Sequence, residues 1–497
     1  MKAVRNYIQN KLQNYKVPLN RVDSSLPLKG NNLPRVAVIG GGLAGMTAAL
    51  ELAEKGFRVT LYEKNSYWGG KLGSWTFADG DRELRTTHGF HAFFNQYYNL
   101  NSLLEKLHVS DALIDIDDYK ILFNEQESVG FKGLDTTPVF NVLALRKRGI
   151  FHWTTFLNPL CIPLLDLFRY DEKKTFRKYD HMSFADFARK TMMPAKMKVV
   201  FSSFARAFFA EPDKMSMAEL IKGFHFYFLS NDKGLLYKTL NDDFEYSLLQ
   251  PFLKELEKNG VDLRLQCEVK RLAKTEEFFE VNDEQYEHVI LSLDPKGAKA
   301  LAEISNGLHV NDFSILNGLK SGTYYAVYRV WTNQFEKKKM PFFVITDKKK
   351  VLDSITFYHD VEKESQRWSR ENNGGIFELH SYSLPEDMTD EEEIKQAFLE
   401  EFFHYVPELK GMEIKHTYFQ YKNDFPAFHI GQRAKRPEVE METEGLYCAG
   451  DWIKMDNPSM LMEAACTSAI QASNAICRKY QIRETPLYSV PLKGVLA

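Results

Sequence analysis

A glycine-rich turn at residue 40, an acid closing the strand after it, and a strand–Gly-Asp–helix unit near residue 450 predict an α/β fold. In it a Rossmann-like nucleotide-binding domain is interleaved with an α+β domain, because a sheet completed from both chain ends has the rest of the chain inserted between them. The 497 residues exceed what one core organises, and 44% apolar residues suffice for two. A net charge of −3 carries no nucleic-acid signal. Five scattered cysteines without C-x-x-C spacing predict no disulfide framework and no zinc site, and fit a reducing, cytoplasmic compartment. Residues 1–34 read as an extension that lacks the apolar core of a signal peptide, with Met1–Tyr15 as a short helix and Val17–Pro34 as a polar lead-in.

The first unit is the most strongly patterned. Val36–Ile39 predicts a strand, Gly40-x-Gly42-x-x-Gly45 the turn, and Ala44–Leu52 the helix. Gly40 permits the tight turn, Gly42 leaves room for a pyrophosphate, and Gly45 lets helix and strand approach. The helix N-terminus offers free N–H groups to the phosphates. Lys55-Gly56 closes the helix. Arg58–Tyr62 predicts the second strand, and Glu63, 18 residues beyond Gly45, is placed to accept from ribose hydroxyls. A carboxylate there repels a 2′-phosphate, which leaves NAD or FAD.

Downstream, Ser183 predicts a helix N-cap, and Lys196–Phe209 and Met217–Leu229 predict aromatic-rich helices. Leu248–Asn259 reads as an amphipathic helix. Val261–Leu265 predicts a strand, Glu268–Leu272 with Phe278–Val281 a hairpin, and His288–Leu293 a buried strand stopped by Asp294-Pro295. Tyr324–Trp331, Pro341–Thr346, Ser354–His359 and Gly375–Ser381 predict a second, antiparallel sheet, and Asp390–Tyr405 a helix. The implied boundaries are 35–105, 244–300 and 430–480 for the nucleotide-binding domain, and 106–243 with 301–429 for the substrate domain.

Ile150–Phe168 is apolar but broken by Pro159 and Pro163, and no uncharged run reaches spanning length. Residues 141–180 carry eight Lys/Arg and four Asp/Glu, a local balance of +4. Such a segment, 146–178, suits the edge of an anionic bilayer; a buried helix–loop–helix with solvated flanks is the alternative.

Three further features narrow the cofactor to FAD. Gly69-Gly70-Lys71 directly follows the ribose acid and offers a close loop with a cation. Gly445–Ala449 runs as a strand into Gly450-Asp451. The helix after it is expected to start with Asn457 as N-cap and Pro458 at its first position, with small residues along one stripe. Its N-terminus near Met460, Leu461 and Met462 would face a flavin ring. The predicted cofactor-binding set is Gly40, Gly42, Leu43, Ala44, Gly45, Glu63, Lys64, Gly70, Lys71, Val269, Gly450, Asp451, Met460, Leu461 and Met462.

On the glycine fingerprint, Glu63, Gly69-Gly70-Lys71 and residues 445–475, the chain resembles the flavin amine oxidase and phytoene desaturase superfamily, in which Gly-Gly-Arg is usual where Lys71 stands. His88–Leu100, Phe204–Phe209 and Gly223–Leu229 are similar to the aromatic-ring-forming carotene desaturase/methyltransferases of the isorenieratene-synthase type. The resemblance implies a GR2-type FAD domain and an apolar polyene substrate. It also implies hydride transfer to flavin N5, with an end-ring methyl migration as an added step. His88 and His91 are then placed near the flavin as candidate catalytic groups. They lack a metal-binding frame, so no metal is expected. Glu463 is a candidate base or cation stabiliser, or else a structural bond to a neighbouring loop. His225 and Tyr227 are lesser cavity candidates. A soluble flavin amine oxidase is the alternative function. No second G-x-G-x-x-G occurs, so no separate nicotinamide site is expected, and the electron acceptor is left open among oxygen, a quinone and another polyene.

Overall fold

The computed structural model describes residue 6 and residues 15–116, 118–123, 127–337 and 339–497. Apart from residues 6 and 15, the helix expected over Met1–Tyr15 lies outside the described residues. Val17–Pro18 pairs antiparallel with Tyr488–Ser489, which ties the lead-in to the end of the chain.

One sheet is wholly parallel, in the order Asp262–Arg264, Arg58–Tyr62, Arg35–Ile39, His288–Leu291, Leu446–Cys448. Its strands come from three distant stretches of chain. Both faces are covered, which is why they read as unbroken apolar runs. Val36, Val38, Ile290 and Tyr447 face one core, with helices Leu43–Glu54 and Leu461–Lys479. Ala37, Ile39, Val289, Leu291, Leu446 and Cys448 face a second core under a small sheet of Glu284–Tyr286, Phe279–Val281, Leu272–Lys274 and Ser305–Asn306. The last of these strands, Ser305–Asn306, pairs parallel with Leu272–Lys274. The two helices touch through small residues: Ser473 Oγ lies 3.4 Å from the Ala48 carbonyl oxygen.

The second sheet runs Ile414–Lys422, Tyr325–Thr332, Ile376–Ser381, Ser354–Phe357, Phe343–Thr346, Tyr119–Phe123, Glu127–Gly130. It is antiparallel except where Phe343–Thr346 meets Tyr119–Phe123. Strand alternation sorts its residues. Ala326, Tyr328, Val330, Phe377 and Leu379 pack on helix Glu391–Tyr405 through Ile394, Phe398 and Phe402. Tyr325, Val327, Arg329, Glu378 and His380 take the opposite face. Helices Phe184–Lys190, Ala195–Arg206 and Met217–Phe228 stand beside that face. Ser183 caps the first, accepting from Asp186 N–H at 3.0 Å.

Three local expectations are corrected. Asp294-Pro295 does not merely stop a strand: Asp294 caps helix Pro295–Glu303 by accepting from Lys296 and Gly297 N–H, with the proline at its first position. The hairpin pairs Leu272–Lys274 with Phe279–Val281, leaving residues 268–271 irregular. Asn457 caps nothing. The last helix begins at Leu461, with Met460 as N-cap, because Leu461 turns the chain with φ +49° and Met460 C=O accepts from Ala464 N–H.

The proline-broken segment forms short 3-10 turns, Trp153–Leu157 and Pro159–Phe168. Cys161, Leu164 and Leu167 point inward, while Leu157 (79%), Leu160 (53%) and Ile162 (54%) are exposed, with Met192 (59%) beside them. Among the described residues, no helix is long and apolar enough to cross a membrane.

Candidate active site

One cavity of about 710 Å³ is lined from both the parallel sheet and the second sheet. It starts at the glycine turn, lined by Gly40, Gly42, Leu43, Ala44, Glu63, Lys64 and Val269. It passes Gly70, Lys71, Gly450, Asp451, Leu461 and Met462, then His88 and His91. It ends among Phe90, Phe94, Phe204, Phe208, Tyr227, Tyr237 and Phe343. Segments near residues 40 and 460 therefore meet at one continuous space. Gly45 and Met460 lie behind its wall. Gly45 acts through packing: a Cβ there would sit 1.8 Å from the Gly40 carbonyl oxygen. At Gly42 the nearest atoms to a Cβ are 3.9 Å away, so its bare side faces open space.

Glu63 is buried. Its carboxylate accepts from Gly41 N–H and from Asn65 N–H, both at 2.8 Å, and so ties the end of the second strand to the glycine turn. Lys71 Nζ lies 3.2 Å from Asp451 Oδ2 and 4.0 Å from the centre of the Phe425 ring. Asp451 thus pairs with Lys71.

His88 belongs to a buried chain of polar groups. Its Nε2 is 2.9 Å from Tyr325 OH and 3.3 Å from Asp424 Oδ2, and Tyr325 OH donates to Asp424 Oδ1 at 2.8 Å. Burial lowers the pKa of His88. Burial alone would raise Asp424, but His88 and Lys71 hold it well below the usual carboxylate range. Burial keeps the Tyr325 hydroxyl protonated. The His91 ring pairs through Nδ1 with the Gly89 carbonyl oxygen at 2.8 Å, and burial, then His88, push its pKa down to about 4. His225 sits outside the cavity lining, with Nε2 at 2.6 Å from Pro491 C=O and its ring stacked on Tyr170.

Of the roles expected for Glu463, the structure shows the bond to a neighbouring segment. Glu463 lies outside the cavity lining and binds the start of helix Tyr98–Lys106, accepting from Asn99 N–H and Nδ2 at 2.9 Å and from Leu100 N–H at 3.0 Å. Met462 faces the cavity, and the next residue is turned by about 100° at 3.6 residues per turn. Burial pushes the Glu463 carboxyl from 4.5 up to about 8 against the pull of those donors. The folded state therefore holds the proton where the unfolded chain releases it. This contribution to stability is full below the unfolded value and is lost as pH rises toward 8. We expect the slope, up to about 1.4 kcal/mol per pH unit, to vanish in Glu463→Gln. Its baseline stability should also fall, because an amide NH₂ then meets Leu100 N–H. Melting temperatures from pH 5 to 8 check both.

Tyr325, His380, Lys422 and Asp424 also line the cavity, and no motif marks them in the sequence. The alternation of strand Tyr325–Thr332 could have flagged Tyr325. Asp424 follows a strand in a loop without pattern. Phe209 and Leu461 both line the cavity with positive φ, at 56° and 49°, a strained conformation for bulky side chains that concentrates at working sites.

The family model of flavin containing amine oxidoreductases matches residues 43–477. The chain belongs to this family. The flavin oxidoreductase is 30% identical to a carotenoid phi-ring synthase of Streptomyces griseus, over 93% of this chain and 91% of the relative. It is 27% identical to another of the same name from Chlorobaculum tepidum, again over 93% and 91%. A zeta-carotene desaturase of Synechocystis matches 48% of the chain at 29% identity. Among solved structures, putrescine oxidase bound to putrescine superposes with TM-score 0.64 at 15% identity, over 90% of this chain and 100% of that one. Cyclohexylamine oxidase from Brevibacterium oxydans superposes at 0.63 and 12% identity, covering 90% and 99%. These two share the fold. The residues of the flavin oxidoreductase fit a flavin: the cradle at Gly42 and Gly70 has no side chain, and a Cβ on Gly70 would meet Gly42 Cα at 3.1 Å.

Proposed function

We propose that the chain is an FAD-dependent desaturase of a carotenoid-type polyene, with methyl migration in an end ring. The observation that carries this reading is the unbroken cavity. It leads from a side-chain-free nucleotide cradle into a chamber walled by Phe90, Phe94, Phe204, Phe208 and Phe343. A polyene has no polar group to hydrogen-bond, so such a chamber holds it by area and shape. The names of the phi-ring synthases and the zeta-carotene desaturase support the same substrate class.

Gly40, Gly42, Leu43, Ala44 and Gly70 would hold the pyrophosphate, and Glu63 the ribose. Lys71, Gly450, Asp451, Leu461 and Met462 would line the ring end. A bound flavin supplies the hydride acceptor at N5. The N-terminus of helix Leu461–Lys479 places partial positive charge at the cavity wall, worth roughly 0.3–2 kcal/mol toward an anionic partner. His88, held by Tyr325 and Asp424, fixes the loop that separates cradle from chamber. Aromatic faces attract a developing carbocation by about 0.5–2 kcal/mol each.

Expression in a β-carotene-producing host is the test: an altered pigment is expected, and an unchanged pigment profile would refute the reading. Simple amines, substrates of a flavin amine oxidase, should leave the flavin of purified protein oxidised.

The substrate class also needs a source. Exposed Leu157, Leu160, Ile162 and Met192 form an apolar patch flanked by exposed Arg169, Lys173, Lys174, Arg189 and Lys190. Helix Ala195–Arg206 leads from this patch to Val200 and Ser203 at the cavity wall. We infer peripheral binding to an anionic bilayer, on the inner face of the membrane. Leu160→Glu combined with Ile162→Glu should abolish co-flotation with anionic liposomes while leaving flavin content intact. Undiminished flotation would remove this part of the proposal.

A further inference from the structure

An all-hydrocarbon substrate gives polar cavity residues nothing to bind. Charged groups buried behind its chamber therefore call for another role. Glu378 is completely buried on the cavity-facing side of the second sheet. Arg329 Nε and Nη2 reach its Oε2 at 2.8 and 2.6 Å, and Phe90 N–H reaches Oε1 at 3.0 Å. His380, two residues along the same strand, lines the cavity with its Nε2 2.8 Å from Glu378 Oε1, close but off-line for a hydrogen bond. A second buried carboxyl, Glu362, is pushed by burial up to about 7 against the pull of Arg329.

The other two imidazoles on the wall are differently placed. His88 is committed to Tyr325 and Asp424. His91 is tied through Nδ1 to the Gly89 carbonyl, and burial outweighs the pull of Glu378 on it. His380 is the cavity imidazole backed by an acid that is itself anchored by an arginine.

We propose that His380 accepts the proton released at each desaturation, with Glu378 and Arg329 as its positioning pair. The inference rests on the functional reading above. Each new double bond costs the substrate two hydrogens. One leaves with its electron pair to the flavin, which is reduced. The hydride can return until the adjacent C–H bond breaks, so net flavin reduction waits on that step, in which the bond's electron pair becomes the new π bond and the proton goes to a ring nitrogen of His380. When a methyl group migrates in between, the cationic centre moves one ring carbon, and loss of the neighbouring proton to His380 still closes the double bond.

The test uses FAD-loaded protein with β-carotene in lipid vesicles, following flavin bleaching in a single turnover. In His380→Ala, bleaching should slow about 100-fold, the scale of a lost general base. Flavin content and melting temperature should stay at wild-type values, and added imidazole should restore part of the rate. β-Carotene deuterated at the ring carbon that loses the proton provides a second measurement. Its isotope effect should rise in the variant, because proton removal becomes limiting. Glu378→Gln should slow bleaching less, and Glu378→Asp should recover part of that loss. Slowed bleaching with a raised isotope effect supports the proposal, whether or not imidazole enters the cavity. Bleaching within about threefold of wild type, or slowed bleaching with an unmoved isotope effect, overturns it. Wild-type flavin that β-carotene never bleaches overturns the functional reading and this inference together. A bleached wild type with an unaffected variant overturns this inference alone.

Discussion

Gly45→Ala should yield a destabilised protein with little flavin, whereas Gly42→Ala should yield a stable protein without yellow colour. The two glycines are three residues apart in one turn, yet they meet different surroundings. A Cβ on Gly45 would lie 1.8 Å from the Gly40 carbonyl oxygen and 2.6 Å from Ser292 Oγ. The oxygen is backbone at a turn where Gly40 already has φ +111°, so it cannot step aside without opening the first strand. Overpacking typically costs about 1–3 kcal/mol, and a clash this deep belongs at or above the top of that range. The adjoining strands, Arg58–Tyr62 and His288–Leu291, then lose register with the first, so the flavin site goes with the fold. A Cβ on Gly42 has its nearest neighbours at 3.9 Å, Gly69 C=O and Gly70 Cα, and projects into the cradle. Its melting temperature should stay within about 2 °C of wild type, since a change well under 1 kcal/mol moves a chain of this size little. Flavin affinity should fall more than tenfold, or about 1.4 kcal/mol. Thermal melts and flavin absorbance of the purified proteins separate the cases. Equal melting temperatures for the two variants would contradict the assignment of Gly45 to packing.

Asp353→Ala should cost about 3–5 kcal/mol, the price of leaving a buried partner charge unpaired. Asp353 receives Arg206 Nε at 2.5 Å, Tyr382 N–H at 2.9 Å and Lys348 Nζ at 3.4 Å. Its side chain is 3% exposed and that of Arg206 8%. The pair bolts the end of helix Ala195–Arg206 to the second sheet, and that helix carries Val200, Ser203 and Phe204 on the cavity wall. Lys348 keeps Glu211 as a partner at 3.1 Å, so the stranded charge is Arg206. Replacing both members, Arg206→Met with Asp353→Leu, should recover most of the loss, because two apolar side chains leave no charge without a partner. Urea midpoints of the single and double variants decide this. A double variant no more stable than Asp353→Ala would show that the damage comes from lost hydrogen bonds to the Tyr382 backbone instead.

The contrast between Glu463 and Met462 shows how far linear reasoning reaches. The helix itself was legible from the small-residue stripe after Gly450-Asp451. The phase was not, because it depends on Leu461 turning with φ +49°, three residues after the proline expected to open the helix. One residue of phase separates a cavity-lining side chain from a buried cap on a different helix. The proline-broken segment is similar. Pro159 and Pro163 exclude a regular α-helix, but which side chains turn outward was set by the packing of Cys161, Leu164 and Leu167.

By itself the sequence determined the glycine turn, the strands of the parallel sheet with the two helices packed on it, the joining of both chain ends in that sheet and the flavin class. Those signals are local: glycine spacing, capping residues and apolar periodicity act over a few residues and mean the same thing wherever the segment ends up. Only the tertiary structure decided the polar machinery of the chamber. His88 finds Tyr325 across 237 residues and Asp424 across 336, and Phe90 finds Glu378 across 288. Such partners are chosen by strand order and register in a sheet assembled from distant segments, and a carboxylate in the sequence looks the same whether that assembly turns it toward water or buries it against an arginine.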